Sequence, residues 1–517
     1  MKKLCFSAVL TACFSMPAFA ATTNVATVAD LIGAVRNAKH NDEIVVMASG
    51  SPYNFSAEDK DVVAHLYARA KIILRGETGN PADVVLVGNE NRILYLTYND
   101  NSIRDLTFEN GDCTGYPKRG ATEGEPYDQL RGGAICLKSD NDSTTIISNC
   151  VFKSCKAKQG GGACGTYSAN NTGGKYFDCL FDGNAVSGGG GGALYGAKSI
   201  AGCKFENNSC QGGNGGALYN AGLVESSTVV SNAAYQTGGA GGFGGGVCRG
   251  TLTGCLVASN YAYRCGAAAD SSFFSCTNRA NSAGEYSEFG ATSDRIGCFA
   301  EKCTFADVGM SGKKTFGASA FNRCRFDGGS FVSGSYVFAQ AVSMTNCLLS
   351  GASGIRLFEG LTGASTMVNC TVASNSYTMV AGDSQVMTMK NCFFCGNKIG
   401  NAAVDINENA KTFISSFRNC IISAASDDHV LGRDNFNYYS VRDVFKPGFA
   451  GAEKNPANPF AITRKSPAFR MAGIVEDWMS SATDIRGEGF SRIRDGKVDI
   501  GCYQCWDVQP GFGIIFR

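Results

Sequence analysis

Cys179-Leu180-Phe181-Asp182-Gly183-Asn184 is followed by Cys203-Lys204-Phe205-Glu206-Asn207-Asn208, then by Ser227-Thr228-Val229-Val230-Ser231-Asn232 and Cys255-Leu256-Val257-Ala258-Ser259-Asn260. One pattern runs through all four: a small residue, any residue, an apolar residue, then Asn three further on. Between them lie glycine runs carrying Gly191-Gly192-Ala193-Leu194-Tyr195 and Gly215-Gly216-Ala217-Leu218-Tyr219.

Followed outward, the small position gives Cys150, Cys179, Cys203, Ser227, Cys255, Cys276, Cys303, Cys324, Cys347, Cys370, Cys392 and Cys420, in steps of 21 to 29 residues. A period of that length marks a solenoid, because one unit is too short to bury a core and must share it with its neighbours. The units are rich in β-branched and aromatic residues, Gly and Asn, with little helical periodicity, so they predict short strands joined by turns. Two or three strands per coil, stacked about 4.8 Å apart, make a parallel β-helix. Its small column predicts an interior row in which Cys acts as a small apolar residue. Phe152, Phe181, Phe205, Phe305, Phe326 and Phe394 predict a parallel aromatic row. Asn184, Asn208, Asn232, Asn260, Asn375 and Asn397 read as corner residues that adopt left-handed backbone and bond their equivalents in adjacent coils.

The chain has 517 residues with 46 Lys+Arg against 45 Asp+Glu, and no basic patch that would suggest nucleic acid. Length alone suggests several domains, but the continuous repeat points to one elongated unit. Residues 1–20 read as a secretory signal: Lys2 and Lys3, an apolar core, and Ala18-Phe19-Ala20 with cleavage after Ala20. Leu10-Thr11-Ala12-Cys13 also has the form of a lipoprotein cleavage box. No other stretch reaches the roughly 20 apolar residues of a membrane helix. Thr27 to Lys39 predicts a capping helix, with Thr27 and Asp30 as its capping box and Leu31, Ala34, Val35 and Ala38 on one face. Glu43–Ala48 predicts the first strand, and Lys71–Gly76, Val84–Val87 and Ile103–Phe108 the early coils. A polar insertion, Gly111–Arg131, is either decoration or a candidate functional loop. The expected organisation is a signal at 1–20, a β-helix with its N-terminal cap at 21–445, an irregular C-terminal cap at 446–505 and a tail at 506–517.

Three resemblances follow from these motifs. Gly132-Gly133-Ala134-Ile135, with Phe181-Asp182-Gly183-Asn184, Phe205-Glu206-Asn207-Asn208 and Phe394-Cys395-Gly396-Asn397, resembles the paired GGA-I and F-x-x-N repeats of polymorphic outer-membrane proteins. That implies a right-handed parallel β-helix associated with adhesion, the handedness that crossover connections also favour. The family ends in a membrane barrel for which this chain leaves no room after its last coils, so autotransport is not expected. The series Ser466-Pro467-Ala468, Thr483-Asp484-Ile485-Arg486-Gly487 and Val498-Asp499-Ile500-Gly501-Cys502-Tyr503 is similar to the C-terminal segment of secreted β-helix proteins of the choice-of-anchor type. There an Asp usually follows Ser-Pro-Ala, and here Phe469 stands instead. The whole resembles the pectin-lyase-like superfamily, across which fold does not carry function.

The chemistry is sparse. No W-x-D-H-like segment, Arg-x-Pro-x-x-Arg or Gly-His-Gly element of the pectinolytic enzymes is present. Asp427-Asp428-His429 is the one echo of an acid/base set, and neighbouring strand residues point to opposite faces, so it reads as a polar turn. His40 and His65 have no evident partners in the sequence. Gly212-Gly213-Asn214-Gly215-Gly216-Ala217 lacks the carboxylate of a calcium-binding roll. Gly239-Ala240-Gly241-Gly242-Phe243-Gly244 matches a dinucleotide fingerprint by letter, without the helix it needs. Of 24 cysteines, most are expected as free buried thiols; Cys150/Cys155, Cys203/Cys210, Cys298/Cys303 and Cys392/Cys395 could bridge, and Cys502/Cys505 has CxxC spacing with no second pair.

Neither catalytic residues nor a metal or cofactor is expected. Tyr195 and Tyr219 should stack, as a packing ladder or, as the one candidate ligand-binding pair, as a sugar platform. The sequence therefore predicts an all-β, single-stranded right-handed parallel β-helix, exported and either secreted or held at the cell surface in association with the outer membrane. Its expected role is non-catalytic adhesion or glycan binding, with a host or neighbouring cell as partner. A polysaccharide lyase or glycoside hydrolase acting on an acidic polysaccharide is the alternative, and a structural surface-layer protein the third.

Overall fold

The small column is a corner of the solenoid. In the computed structural model the residue before each rung (Asp105, Asn149, Asp178, Gly202, Ser226, Gly254 and their successors to Asn419) has φ between 46° and 65°. The chain thus turns sharply between two three-residue strands, such as Lys175–Phe177 and Leu180–Asp182. Asp, Asn, Ser and Gly dominate these positions because they tolerate left-handed backbone most readily. The described residues are 20–56, 64–89, 91–115, 130–138, 144–166, 173–284, 286–290, 297–306, 314–328, 336–338, 341–358, 365–381, 387–399, 414–422, 436–437, 462, 475–486, 488–494 and 496–505.

In the middle of the chain a coil contains four short strands, as in Lys175–Phe177, Leu180–Asp182, Ala185–Val186 and Leu194–Tyr195. Each pairs in parallel with its equivalent one coil on, at Ser199–Ala201, Lys204–Glu206, Ser209–Gln211 and Leu218–Tyr219. Four ladders result. The first runs from Thr22–Val25 to Ile414–Arg418. The second is a 16-stranded sheet, and the third has six strands confined to the glycine-rich coils. The fourth joins the first in a 28-stranded sheet through the longer strands Leu218–Glu225 and Val247–Thr253. Among the described residues one α-helix occurs, so the architecture is the expected all-β parallel β-helix, with more strands per coil than the two or three foreseen.

The middle residue of each second-ladder strand points inward. Phe108, Phe152, Phe181 and Phe205 stack with centroids 5.1, 4.7 and 4.8 Å apart and rings within 8° of parallel. Such contacts contribute about 0.5–1.5 kcal/mol each beyond area burial. The row is broken by Val229, Val257 and Asn278 before Phe305 and Phe326 resume it at 5.0 Å.

The Asn residues bond their equivalents in adjacent coils as expected, but their backbone is not the left-handed one. The left-handed residues are the ones before them, Gly183, Asn207, Ser231 and Ser259. The Asn side chains turn inward, fully buried, to satisfy the corner's backbone. The Asn208 backbone N–H and side-chain Nδ2 both donate to Asn232 Oδ1, at 3.0 and 2.9 Å, and Nδ2 also donates to the Phe181 carbonyl at 3.0 Å. Asn184, Asn232 and Asn260 repeat this, and Asn281, five residues after Cys276, extends it.

The Cys column does the same work with sulfur. Cys179, Cys255 and Cys276 each donate their backbone N–H to the next coil's thiol at 3.4 Å, and Cys203 donates to Ser227 Oγ at 3.1 Å. The 21 cysteines whose side chains are described are all buried and free, so the Cys150/Cys155, Cys203/Cys210 and Cys298/Cys303 bridges do not form. Burial pushes the Cys155, Cys210, Cys298 and Cys502 thiols up to about 12.

The helix spans Val28–Asn37, capped by Thr27, whose hydroxyl accepts from the Asp30 N–H at 3.1 Å. Leu31 and Val35 enter the core at the N-terminal end. A strand the sequence reading missed, Thr22–Val25, precedes it and pairs with Glu43–Val46. The described part of the C-terminal segment lies along the flank of the later coils. The Cys502 N–H donates to Thr371 Oγ1 at 3.0 Å, the Gly501 N–H to the Asn391 carbonyl at 2.8 Å, and Asn346 Nδ2 to the Thr483 carbonyl at 3.2 Å. Within it Arg492 is buried and donates to the Asp499 and Gly501 carbonyls, and Arg486 is held by the buried Asp484. The signal, residues 116–129 of the polar insertion, Asp427-Asp428-His429 and the tail lie outside the described residues.

Candidate functional site

Two surfaces bring side chains of functional character together. The first holds the sequence-predicted tyrosines. In-register pairing in the fourth ladder puts Tyr195 under Tyr219, with centroids 5.4 Å apart and rings 21° from parallel. The glycine turn of the preceding coil supplies the space. A Cβ on Gly160 would come within 2.8 Å of the Tyr195 ring, and one on Gly190 within 2.6 Å of the Tyr219 ring. Arginines complete the pillar: the Arg131 guanidinium lies 4.4 Å from the Tyr195 centroid, and Arg249 lies 5.4 Å from that of Tyr219 while donating to its hydroxyl at 2.9 Å. The fully buried Arg92 anchors this end through the Gly132 and Arg131 carbonyls, at 2.9 and 2.8 Å. Each tyrosine thus faces an arginine and the other tyrosine, the geometry of a packing ladder strengthened by cation–π contact.

The second surface was not foreseen. Outward residues of the first ladder alternate with core residues, and in-register pairing aligns Ser272, Phe299, Ala320 and Ser343 in one row across four coils. Three inter-coil steps make this row about 14 Å long. Two adjoining cavities of about 500 and 470 Å³ lie over it, sharing Phe299, Ala320 and Ser343. Together they form a groove.

The far wall of the groove comes from the C-terminal segment: Trp478, Ser481, Ala482 and Thr483. Trp478 sits in the short 3-10 turn Asp477–Ser480 and is 39% exposed. Its indole N–H donates to Glu476 Oε2 at 2.6 Å, and Lys390 Nζ reaches Glu476 Oε1 at 2.6 Å, tying the turn to the coil below. These two bonds hold the Glu476 carboxyl below the usual carboxylate range, Lys390 being the larger cause. Phe299, half-buried in the floor, meets Phe274 at 5.7 Å. Arg323 occupies a left-handed corner at φ 53° and donates to Glu301 and to Thr483 Oγ1. Its partial burial pushes its pKa down from the ordinary guanidinium value.

Chemically, the groove offers aromatic faces from Trp478 and Phe299, hydroxyls from Ser272, Ser343 and Thr345, and the Asn322 amide. Among its described lining residues the charged ones are Asp270 and Arg323. No group of three or more His, Cys, Asp or Glu that could hold a metal ion occurs among the described residues. The remaining sequence candidates have structural places. His40 accepts from the Lys71 N–H at 3.1 Å and meets Tyr98 edge-on, while His65 is buried, stacked on Phe55 with Nε2 2.6 Å from the Gly88 carbonyl. The run Gly239–Gly244 leads into the strand Val247–Thr253, so no helix follows that fingerprint. Cys502 packs with Tyr503 against Leu348.

Sequence reasoning missed this groove because its two halves lie far apart in the chain. A signal was nevertheless present: Phe299 is a large aromatic in an outward row otherwise of Ser and Ala, and Trp478 is one of two tryptophans.

No protein-family profile matches this chain, and no curated protein matches it. Among solved structures it is similar to a PL6 family alginate lyase, AlyGC, with a TM-score of 0.28 and 14% identity, over 81% of this chain and 54% of the lyase. It therefore spans about half the length of that enzyme. It is also similar to pectate lyase Pel9A, with a TM-score of 0.26 and 12% identity, over 92% of this chain and 100% of the other. A third is a mannuronic acid specific family 6 lyase from human gut microbiota, with a TM-score of 0.28 and 10% identity, over 78% and 85%.

Proposed function

We propose that this chain is an exported, surface-displayed β-helix that binds an extended glycan without cleaving it, in the groove on its first ladder. One observation carries the reading: the C-terminal segment sets Trp478 against the outward row of Phe299, Ala320 and Ser343. A flat row of small polar residues beside aromatic faces suits the alternating hydroxyls and apolar ring faces of a sugar chain. The groove's charge supports binding over hydrolysis. Glycoside hydrolysis needs two facing carboxyls, and among the described lining residues Asp270 is the one carboxylate. The Tyr195/Tyr219 pillar is proposed as support for the neighbouring coils rather than as the contact surface, because arginines cover its rings.

The test uses residues 21–517, incubated with acidic and neutral polysaccharides with and without calcium. Unsaturated uronide absorbance and new reducing ends report cleavage, and retention on the same glycans is followed in parallel. Retention without products, abolished by Ser343→Trp, is the expected result. Products from any polysaccharide would replace this reading with the lyase or hydrolase alternative. Neither retention nor products would leave adhesion to a protein surface or a structural role. Fractionation of the producing cells tests export, the mature chain being expected outside the cytoplasm.

A further inference from the structure

The geometry points to a neutral glycan as the occupant of this groove, recognised through hydroxyls and apolar ring faces rather than through carboxylates. The inference rests on the binding reading above and adds the class of ligand. It follows from where charge stands. Along the roughly 14 Å of floor the outward row reads Ser272, Phe299, Ala320 and Ser343, all uncharged. At one end the described charge is Asp270, a carboxylate; at the other it is Arg323. The Arg323 guanidinium is already committed, bonded to Glu301 and to Thr483 of the opposite wall. Behind Trp478, Glu476 and Lys390 form a second closed ion pair at 2.6 Å.

A polyuronate carries a carboxylate on every residue. Seating several of them here would strip each of water with no free cation among the described lining residues to replace it. A neutral chain does not meet that obstacle. Hydroxyls donate and accept, as do Ser343, Thr345 and Asn322 along the floor, whereas a carboxylate only accepts. The indole and the Phe299 ring supply surfaces for sugar faces whose attraction does not depend on charge.

The experiment is calorimetric titration of residues 21–517 with cello-, xylo-, laminari- and manno-hexaose, and with hexagalacturonate and hexamannuronate, at about 50 and about 500 mM salt. At least one neutral hexasaccharide should bind, with an affinity that changes less than about twofold between the two salts. Trp478→Ala and Ser343→Trp should each weaken that binding by about tenfold or more, through loss of the aromatic face and through filling of the floor. Ser343 is exposed on a strand's outer face, so its variant tests the groove even where Trp478→Ala disturbs the wall. Binding of the uronates alone, falling steeply with salt, would overturn the neutral assignment and leave groove binding intact. Binding of none of the six would overturn the glycan reading itself.

Discussion

A single Asn shows how much of this fold rests on amides turned inward. Asn208 satisfies the Asn184 N–H and Nδ2 through its Oδ1, and donates from Nδ2 to Phe181 and Asn232. Asn208→Ala removes the acceptor of the Asn184 N–H and Nδ2 and a donor to the Phe181 carbonyl, all on the preceding coil, and should cost about 3 kcal/mol, read as a lower urea midpoint. Asn278 behaves oppositely. It is fully buried in the aromatic row, between Val257 and Phe305, with neither Nδ2 nor Oδ1 hydrogen-bonded to the protein. Asn278→Val should raise stability by about 1–2 kcal/mol; a lower midpoint would mean the amide has a structural role. The recurrence of Asn and its bonding to equivalents in adjacent coils were legible in the sequence, but the left-handed backbone was assigned to the wrong residue. A letter pattern locates a corner without saying whether backbone or side chain answers it, and the φ > 0 residue just before leaves no fixed letter, being Gly, Asn or Ser in turn.

Between elements, steric fit and ion pairing decide. Gly190 floors the Tyr219 ring at a distance no Cβ can share. Gly190→Ala should destabilise by about 1–3 kcal/mol. In the Tyr219→Ala background only part of that loss should disappear, because the Asn214 carbonyl, 2.9 Å from the same Cβ, remains; a double-mutant cycle measures the ring's share directly. The wall of the groove depends on pH. Because Glu476 is depressed in the folded chain, its contribution is present above the ordinary carboxylate pKa and lost as pH falls through the folded value. In a Trp506→Phe background, indole fluorescence should stay constant down to about pH 5 and change once the pH falls below the ordinary carboxylate range. Lys390→Met should move that change to higher pH. Ladder strands such as Ile72–Gly76 and the capped helix were readable because local pattern and tertiary role agree there. The strand Thr22–Val25 was hidden, because Thr-Thr-Asn-Val becomes a strand only through its partner at 43–46.

At the scale of the molecule, each coil is bonded mainly to its neighbours, so stability is a sum of coils and their interfaces, and the repeat alone made the architecture legible. The site was not legible, since a groove built from coils at 270–345 and a wall at 478–483 is a long-range juxtaposition that no period encodes. Burial extends to the 21 thiols whose side chains are described, which should react with a thiol reagent at pH 8 only at the rate at which the solenoid opens, and all together in guanidinium. An early, protein-concentration-independent burst of several thiols would contradict the close-packed column. The same column sets a clock on biosynthesis. Before the coils close, every one of these sulfurs is an ordinary thiol able to couple with any other, and the finished corner has no place for a crosslink. If the proposed export takes the chain into an oxidising compartment, coil stacking must outrun oxidation, and a helper that keeps sulfur reduced during that interval would raise yield more than one that forms disulfides.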